Sequence, residues 1–306
     1  MAKITVLGEV VIDRIHSNAK STDIAGGSAA NCALALTKIG EDVFFRARYS
    51  KDAAGQFLYD AAKANGLDVS QSIRAQESAT VVDVFLNPAG SPNYEFHMDG
   101  TADWAWNASE LNQFPIENSD ALVFGSLAAI LQPAHEVLIP WIEKAKGSGT
   151  LIAYDPNARP SAIPTKDADL VRDRIVNLVK LSNVVKVSDE DLEWINPQID
   201  ADQQASMWST VGPDLVVLTK GAKGASAFRK GLCIANVPGV KTNVVDTVGA
   251  GDTLMAWLVS GLLSLESEMR FNAGSVESVV HRAVKAAAIT CSQAGCQPPT
   301  PADIGL

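Results

Sequence analysis

The sequence predicts an α/β protein built on a doubly wound, mostly parallel sheet with helices on both faces. Short apolar runs rich in β-branched residues alternate along the chain with longer amphipathic patterns, which is typical of three-layer α/β/α folds. The apolar runs are continuous, which favours strands that are buried on both faces. Three amphipathic patterns run up to a glycine (Gly40, Gly66 and Gly147), the residue that most often closes a helix.

The elements follow one another in a regular order. The first strand candidate, residues 4–12, reads ITVLGEVVI. The later strand candidates are also short apolar runs, and they are residues 43–49, 121–125, 151–155, 184–187 and 215–219. The helix candidates are residues 28–39, 53–65, 134–146, 168–181, 250–263 and 276–293.

One stretch departs from this order. Residues 78–100 alternate with a period of two on both sides of the turn-forming segment 87–92, which predicts a β-hairpin without a helix of its own. Strand material near residues 10–24 is expected to join it. Such a hairpin must pack on something, so we expect a lid over a cleft or a contact between two copies of the chain; a surface hairpin without a role is the alternative. With no internal repeat and no linker, residues 1–306 are expected to form one body that carries this lid.

The charge balance disfavours several classes of protein. The chain holds 25 Lys and Arg against 35 Asp and Glu, a net charge of −10, and it has no Lys/Arg run, which disfavours nucleic-acid binding. An anionic substrate would have to be attracted locally, by helix termini and a few placed cations. No apolar run is long enough to span a membrane, and the first residues read as a strand rather than as a signal peptide.

The cysteines and histidines indicate neither a disulfide framework nor a structural metal. Four of each are scattered along the chain, without a CxxC or HExxH pattern. Free thiols in a reducing compartment are the simplest interpretation, so we expect a cytoplasmic protein.

The most informative segment is Asp246-Thr-Val-Gly-Ala-Gly-Asp252, which runs directly into an apolar helix candidate. The small residues Gly249, Ala250 and Gly251 leave the first backbone N–H groups of that helix open to an anion such as a phosphate. Asp252 would lie inside this cradle and take a proton from a hydroxyl group beside the phosphate. Helix capping by Asp252 is the alternative, but a cap alone does not explain three small residues between two aspartates.

A second segment, Gly26-Gly-Ser-Ala-Ala-Asn31, lies at the start of helix candidate 28–39. The glycine pair lets the backbone approach a ligand closely, and Asn31 places an amide one turn into the helix. By itself the segment is equally consistent with a tight strand-to-helix turn.

Together the two segments resemble the paired motifs of the PfkB/ribokinase family of carbohydrate kinases, most closely its bacterial fructokinase branch. In that family a Gly-Gly…Asn motif lies near the N-terminus and an Asp-Thr-x-Gly-Ala-Gly-Asp motif near the C-terminus, as they do here. Gly100-Thr-Ala-Asp103, directly after the hairpin, resembles the segment that follows the sugar-covering lid in bacterial fructokinases. The resemblance covers essentially the whole chain and implies a ribokinase-like fold.

The resemblance also implies a sugar site. Asp13, in Gly8-Glu-Val-Val-Ile-Asp13, is similar to an aspartate that grips sugar hydroxyls at the end of the first strand, and Asp155-Pro-Asn-Ala-Arg159 follows a strand end, where open α/β sheets bind ligands. The residues thereby expected to bind the sugar are Asp13, Gly26, Gly27, Asn31, Asn157, Arg159 and Asp252. In the implied mechanism Asp252 is the general base, and the amides of 249–251 form the anion hole.

ATP, Mg²⁺ and a monovalent cation such as K⁺ are implied in the same way. The residues expected to bind ATP are Lys186, Ser188, Thr219, Gly221, Gly224, Gly249 and Gly251. Asp191 is expected to act on Mg²⁺ through water, and Asp246 to belong to a monovalent-cation site beside the loop Gly295-Cys-Gln-Pro298. The chain departs from the family pattern in three places: its Asn-x-x-Glu motif reads Ser188-Asp-Glu-Asp191 here, Pro299 stands where relatives often have Ser, and the Asn often seen near adenine has no clear counterpart around Ala283–Lys285.

The implied activity is ATP-dependent phosphorylation of a primary hydroxyl group of a small sugar, with fructose to fructose 6-phosphate favoured. One alternative is a kinase for another acceptor, namely ribose, a nucleoside or 2-keto-3-deoxygluconate, whose carboxylate Arg159 could bind. Another is a sugar-binding sensor without turnover. A dinucleotide-dependent oxidoreductase is disfavoured, because the first strand candidate lacks the G-x-G-x-x-G loop. The expected partners are the sugar, ATP and, through the lid, a second copy of the chain.

Overall fold

The computed structural model describes residues 1–17, 20–86 and 92–306. In chain order the strands are β1 (Lys3–Leu7), β2 (Val11–Ser17), β3 (Lys20–Gly26), β4 (Asp42–Arg46), β5 (Arg48–Ser50), β6 (Ile73–Ala75), β7 (Thr80–Leu86), β8 (Pro92–His97), β9 (Ala121–Gly125), β10 (Leu151–Asp155), β11 (Val184–Ser188), β12 (Leu215–Thr219), β13 (Gly224–Arg229) and β14 (Leu232–Pro238). The helices are α1 (Ser28–Ile39), α2 (Ala53–Ala64), α3 (Ala108–Leu111), α4 (Ser126–Ile130), α5 (Ala134–Gly147), α6 (Ala168–Leu181), α7 (Asp189–Ile195), α8 (Ala201–Trp208), α9 (Ala250–Leu263) and α10 (Ala273–Cys291).

Eight strands form the large sheet, in the order β14-β13-β12-β11-β10-β9-β1-β4. From β4 to β12 the neighbours are parallel, and β13 and β14 extend the sheet antiparallel. Every residue of β9 and of β10 is buried, as the continuous apolar runs predict for strands covered on both faces. The α/β fold predicted from the sequence is confirmed.

Two apolar layers cover the two faces of the large sheet. On one face Ile4 and Val6 of β1 join a cluster with apolar residues of α1, α2, α9 and α10. On the other face Leu7 joins a cluster with residues of α5, α6, α7 and α8. Alternate residues of one strand therefore pack into two separate cores, which is the arrangement of a three-layer sandwich.

A second sheet of four strands, in the order β3-β2-β7-β8, stands apart from the large one. In this small sheet β2 pairs antiparallel with β3 and parallel with β7, and β7 pairs antiparallel with β8. The predicted hairpin is therefore present as β7 and β8, and the strand material near residues 10–24 as β2 and β3. Most of the predicted turn, residues 87–91, and residues 18–19 within the second stretch lie outside the described residues.

The predicted element bounds need several corrections. The strand predicted at 4–12 is two strands in two different sheets, because the chain leaves the large sheet at Gly8, where any Cβ would meet the side chain of Ala29. The strand predicted at 43–49 is also split, at Ala47, and the last helix runs from Ala273 to Cys291 instead of over 276–293. Gly147 is the last residue of α5 and Ser148 caps it, so that this glycine does not close the helix as predicted. Within the described ranges, none of the helices has the length and apolarity needed to cross a membrane.

Candidate active site

Asp252 lies in the first turn of α9, and its buried carboxylate faces α1. Oδ1 accepts a hydrogen bond of 2.6 Å from the Ser28 hydroxyl, and Oδ2 accepts one of 2.9 Å from the Asn31 amide. Two donors from a segment more than 200 residues away hold this carboxylate in one orientation. A residue that only capped α9 would bind backbone N–H groups of its own helix, and Asp252 makes no such bond among the described residues.

The start of α9 offers backbone donors beside this carboxylate. Thr253 N–H donates to the Gly249 carbonyl, so the intrahelical bonds begin there. The N–H groups of Gly249, Gly251 and Asp252 make no hydrogen bond within the described residues. Ala250 departs from the expectation, because its N–H donates to the carbonyl of Thr247, 3.2 Å away, in a turn. The cradle for an anion is therefore formed by Gly249, Gly251 and Asp252 rather than by all of residues 249–251.

Close contacts explain the two glycines of the cradle. Gly249 has a φ of 77°, and a Cβ there would overlap the side chain of Cys296. A Cβ on Gly251 would lie 3.1 Å from the Nζ of Lys186, so this ammonium group lies directly beside the cradle. Burial, together with the charges of Asp252 and Asp246, raises the pKa of Cys296 to about 12, which keeps the thiol protonated and unreactive.

Lys186 carries positive charge into the middle of three aspartates. Its Nζ lies 2.6 Å from Oδ2 of Asp155, and both side chains are about 95% buried. Burial alone would lower the pKa of Lys186, but Asp155, Asp191 and Asp252 outweigh burial and raise it. Burial raises the pKa of Asp155 to about 7 although Lys186 acts against this rise. Lys186 therefore stays charged, and its charge lies beside the cradle.

The described side chains of the site do not by themselves supply enough ligands for a divalent cation. No group of three or more His, Cys, Asp or Glu side chains able to hold a metal ion occurs in the described part of the chain. Both oxygens of Asp191 accept hydrogen bonds, from the Ala158 N–H and from Ser188, so water-mediated action on Mg²⁺ stays a prediction for this residue. Oδ1 of Asp155 is buried and has no partner among the described residues. A free carboxylate oxygen of this kind fits an Mg²⁺ ion that takes its other ligands from phosphates and water.

The glycine pair Gly26-Gly27 brings the start of α1 against the small sheet. A Cβ on Gly26 would overlap the carboxylate of Asp13, and a Cβ on Gly27, whose φ is 115°, would overlap the carbonyl oxygen of Glu9. Asp13 lies inside β2, paired with Ile24 of β3, and does not end the first strand as predicted. Burial raises the pKa of Asp13 to about 6, with Arg159 partly offsetting the rise.

Arg159 and Asn157 follow the carboxyl end of β10, as predicted. Asn157 has a φ of 37°, a left-handed conformation that asparagine tolerates better than most residues. Arg159 is exposed and its guanidinium group forms no hydrogen bond or ion pair within the described residues, although its charge acts on both Asp13 and Glu9. A guanidinium group without a partner leaves its donors available to a ligand.

The residues expected on the nucleotide side lie along the same edge of the large sheet. Ser188 and Thr219 are register partners at the ends of β11 and β12, and both Gly221 and Gly224, in the turn that follows, have positive φ. Asp246 accepts hydrogen bonds from the N–H groups of Val248 and Gly295, so it joins the loop before α9 to the loop after α10. The structure thus brings the expected residues to one edge, while their individual roles toward ATP and a monovalent cation stay predictions.

The sequence interpretation missed several residues of this site. Ser28 holds Asp252, and Asp155 forms the ion pair with Lys186. Glu9 and Asp103 are buried carboxyl groups near the small sheet. Asp155 ends a predicted strand, which is a weak signal, whereas Glu9 lies within the strand predicted at 4–12, and Ser28 lies within the second segment without a signal of its own.

The family model described as pfkB family carbohydrate kinase matches residues 1–303. The chain belongs to this family. A fructokinase from Rhizobium leguminosarum bv. trifolii is 34% identical over 264 residues, which cover 85% of this chain and 79% of that protein. The described fold superposes on the fructokinase from Xylella fastidiosa with bound ATP with a TM-score of 0.89 at 20% identity, covering 99% and 96% of the two chains. A double mutant of fructokinase from Vibrio cholerae O395, bound to fructose, ADP and potassium ion, gives a TM-score of 0.87 at 22% identity, covering 99% and 97%.

As a pfkB family carbohydrate kinase, the protein transfers a phosphoryl group to a sugar. The expected fold class is confirmed by these neighbours, and so is the expectation of a kinase. Phosphoryl transfer to an alcohol needs a carboxylate near the hydroxyl group and positive charge near the phosphate. One short stretch of the sheet edge holds a carboxylate, Asp252, together with the free N–H groups of the cradle and the ammonium group of Lys186.

Proposed function

We propose that this kinase phosphorylates the primary hydroxyl group of fructose with ATP, giving fructose 6-phosphate and ADP. The observation that carries the proposal is the position of Asp252: a buried carboxylate, fixed by Ser28 and Asn31, directly beside free helix N–H groups and the Lys186 ammonium. The name and 34% identity of the Rhizobium relative support fructose as the acceptor.

In the proposed reaction the C6 hydroxyl oxygen attacks the γ-phosphorus in line with the bond to the leaving oxygen. The new C6–O–P bond forms as the bond from the γ-phosphorus to the β-phosphate oxygen breaks, and Asp252 takes the hydroxyl proton. The N–H groups of Gly249 and Gly251 and the ammonium of Lys186 stabilise the charge that develops on the phosphoryl oxygens. Asp155, through its free Oδ1, and Asp191, through water, would help to hold an Mg²⁺ ion bound to the phosphates, and that ion would supply further positive charge.

The sugar is expected to lie between the small sheet and α1. Asp13 would accept hydrogen bonds from its hydroxyl groups, Asn31 and the backbone at Gly26 and Gly27 would surround it, and Asn157 and Arg159 would lie on its far side. We propose that the small sheet is a lid over this sugar, because it carries Asp13. A lid of this kind excludes water, which otherwise competes as an acceptor.

Arg159 favours a second candidate acceptor, 2-keto-3-deoxygluconate. The guanidinium group is exposed and unpaired within the described residues, and a carboxylate is the anion that its planar donors bind best. On this reading R159A would raise the KM for the acid sugar far more than the KM for fructose.

A turnover panel tests the proposal. ADP release is measured with Mg-ATP and fructose, ribose, 2-keto-3-deoxygluconate or adenosine, and the position of the phosphate in the product is read by ³¹P NMR. The highest kcat/KM is expected for fructose, with phosphate on C6. A higher kcat/KM for 2-keto-3-deoxygluconate would identify this acid sugar, instead of fructose, as the substrate. Sugar binding without ADP release from any acceptor would indicate a sensor.

We also propose that two copies pair through the small sheet in the cytoplasm. Ile24 of β3 and Tyr94 of β8 are each about 45% exposed and lie on the same face of the sheet as Asp13, and we propose that both contact the second copy. The four cysteines are unpaired in the structure, which supports a reducing compartment.

A further inference from the structure

Asp103 lies where the small sheet joins the body of the kinase. Its side chain is fully buried, and Oδ1 accepts a hydrogen bond of 2.8 Å from the N–H of Val10, the residue before β2. Oδ2 accepts a second hydrogen bond from the hydroxyl group of Thr80, the first residue of β7. Because Val11 and Thr80 are register partners, one carboxylate binds the starting points of the two central strands.

The segment that leaves the small sheet after β8 is held at the same place. Asp103 itself follows β8 along the chain, and the Thr80 hydroxyl also lies 2.7 Å from the hydroxyl group of Thr101. The N–H of Ala102 donates to the carbonyl of Ser78, just before β7. Three of the four connections between the small sheet and the body therefore meet around Asp103; the fourth runs through Gly26 and Gly27 into α1.

Two further side chains anchor the surroundings of Asp103 to the body. Glu9 is buried beside Asp103, and its carboxylate accepts hydrogen bonds from Ser126 and from the N–H of Ala128 at the start of α4. Arg48 of β5 binds Glu77 before β7 and the carbonyl of Ala105 after Asp103. A few polar contacts around Asp103 thus join the small sheet to the body, and we call this group of contacts the root of the small sheet.

The two buried acids, Asp103 and Glu9, lower the stability of the fold. Burial raises the pKa of Asp103 to about 7, with Glu9 adding to the rise against the donors from Thr80 and Val10, and burial also raises the pKa of Glu9. Two adjacent buried carboxyl groups destabilise a protein relative to apolar residues of similar size. Proteins keep such arrangements mainly where function needs them.

We propose that Asp103 is a positioning residue: by binding the starts of β2 and β7 together, it fixes the angle of the small sheet, so that Asp13 meets the sugar. This inference rests on the proposed sugar site. Asp13 lies three residues beyond Val10 along β2, which is about 10 Å from the bound N–H group. A rotation of roughly 10° about that point moves the Asp13 carboxylate by between 1 and 2 Å, enough to weaken sugar binding many-fold.

Two substitutions test the proposal on the full-length enzyme. D103N keeps an acceptor for Val10 but turns the group facing Thr80 into a donor, and T80V removes the hydroxyl group while keeping the shape of the side chain. For both we expect the KM for the sugar to rise about tenfold, while kcat and the KM for ATP change less than threefold. T80S, which restores the hydroxyl group, should return the sugar KM to the wild-type value. D99N is the matched charge control in the same loop, since Asp99 is exposed, and it should leave all three constants unchanged.

Hydrogen exchange measured by mass spectrometry gives a readout that does not depend on turnover. D103N and T80V should speed exchange in peptides that cover residues 10–16 and 80–86, and leave peptides from β9 and β10 unchanged. Equal sugar KM in T80V and wild type, together with equal exchange, would overturn the proposal. A fall in kcat and in thermal stability together with a rise in both KM values would also overturn it, because a purely structural residue behaves in that way. If wild type phosphorylates no sugar, the proposed function fails, yet the exchange comparison of T80V with T80S still decides whether this root holds the small sheet.

Discussion

The two sides of the proposed active site, one for the phosphate and one for the sugar, are built differently. On the phosphate side Asp155, Lys186 and Asp252 are all buried and lie at the edge of the large sheet or in the first turn of α9, where hydrogen bonds and an ion pair fix them. On the sugar side Asp13 is only partly buried and lies in the small sheet, and Arg159 is exposed and unpaired within the described residues. The proposed site therefore combines a fixed phosphate side with an adaptable sugar side.

The comparison predicts that substitutions on the phosphate side lower kcat, whereas substitutions on the sugar side raise the KM for the sugar. Interactions that matter mainly in the transition state act on kcat, and those made equally with bound substrate act on KM. The predictions below test this division, beginning with the largest expected effect.

D252N should lower kcat at least a thousandfold, while the KM for each substrate stays within about tenfold of wild type. The amide keeps the size of the side chain but cannot take the proton of the hydroxyl group. ADP release at saturating sugar and ATP measures the loss. D169N is the matched control, because Asp169 also lies in the first turn of a helix, α6, and is almost fully exposed. Near-normal kcat in D252N would mean that Asp252 is a helix-end residue after all.

K186M should lower kcat by about a hundredfold or more, because it removes the ammonium group beside the cradle. It should also destabilise the fold by about 3–5 kcal/mol, because Asp155 is left buried without its partner. Unfolding in urea measures the second effect. The double variant K186M/D155N should regain most of the stability but none of the kcat, which separates the two roles of the ion pair. Recovery of activity in the double variant would contradict the placement of Lys186 at the phosphate.

The difference between the two sides also explains what the sequence reveals. Helices 28–39, 168–181 and 250–263 have the predicted bounds, because their apolar periodicity and end residues are local signals. The cradle is equally local, since one continuous segment supplies its glycines and its acid. The turn that engages the N–H of Ala250 depends on backbone geometry that the sequence does not reveal.

Side chains that meet across long separations could not be predicted. The bond between Ser28 and Asp252 joins residues 224 positions apart, and the Asp155–Lys186 pair forms only because β10 and β11 are neighbours. The apolar residues on both sides of Gly8 and Glu9 concealed the passage from the large sheet to the small one, because they give residues 4–12 the pattern of a single strand. That passage is where the chain brings Glu9 and Asp103 together, so the root of the small sheet is visible only in the structure.

On the sugar side, kcat/KM for the sugar should fall about tenfold between pH 7 and pH 5. Burial raises the pKa of Asp13 to about 6, and only the ionised carboxylate accepts hydrogen bonds from the sugar hydroxyls with both oxygens. The fraction of ionised Asp13 falls as the pH drops through 6, so the constant falls with it. D13N should start from a lower kcat/KM and lack this component of the profile. Should the wild-type and D13N profiles be parallel, another group controls the pH dependence.

The smallest expected effect tests the contact between the two sides. S28A removes the donor to Oδ1 of Asp252, and since such a bond contributes about 1 kcal/mol, kcat should fall by roughly fivefold. The KM for the sugar should change little, because the serine acts on the base rather than on the acceptor. In a D252N background the same substitution should have almost no further effect on kcat, since no base remains to be oriented. An equal loss in both backgrounds would show that Ser28 contacts a substrate directly and belongs to the adaptable side.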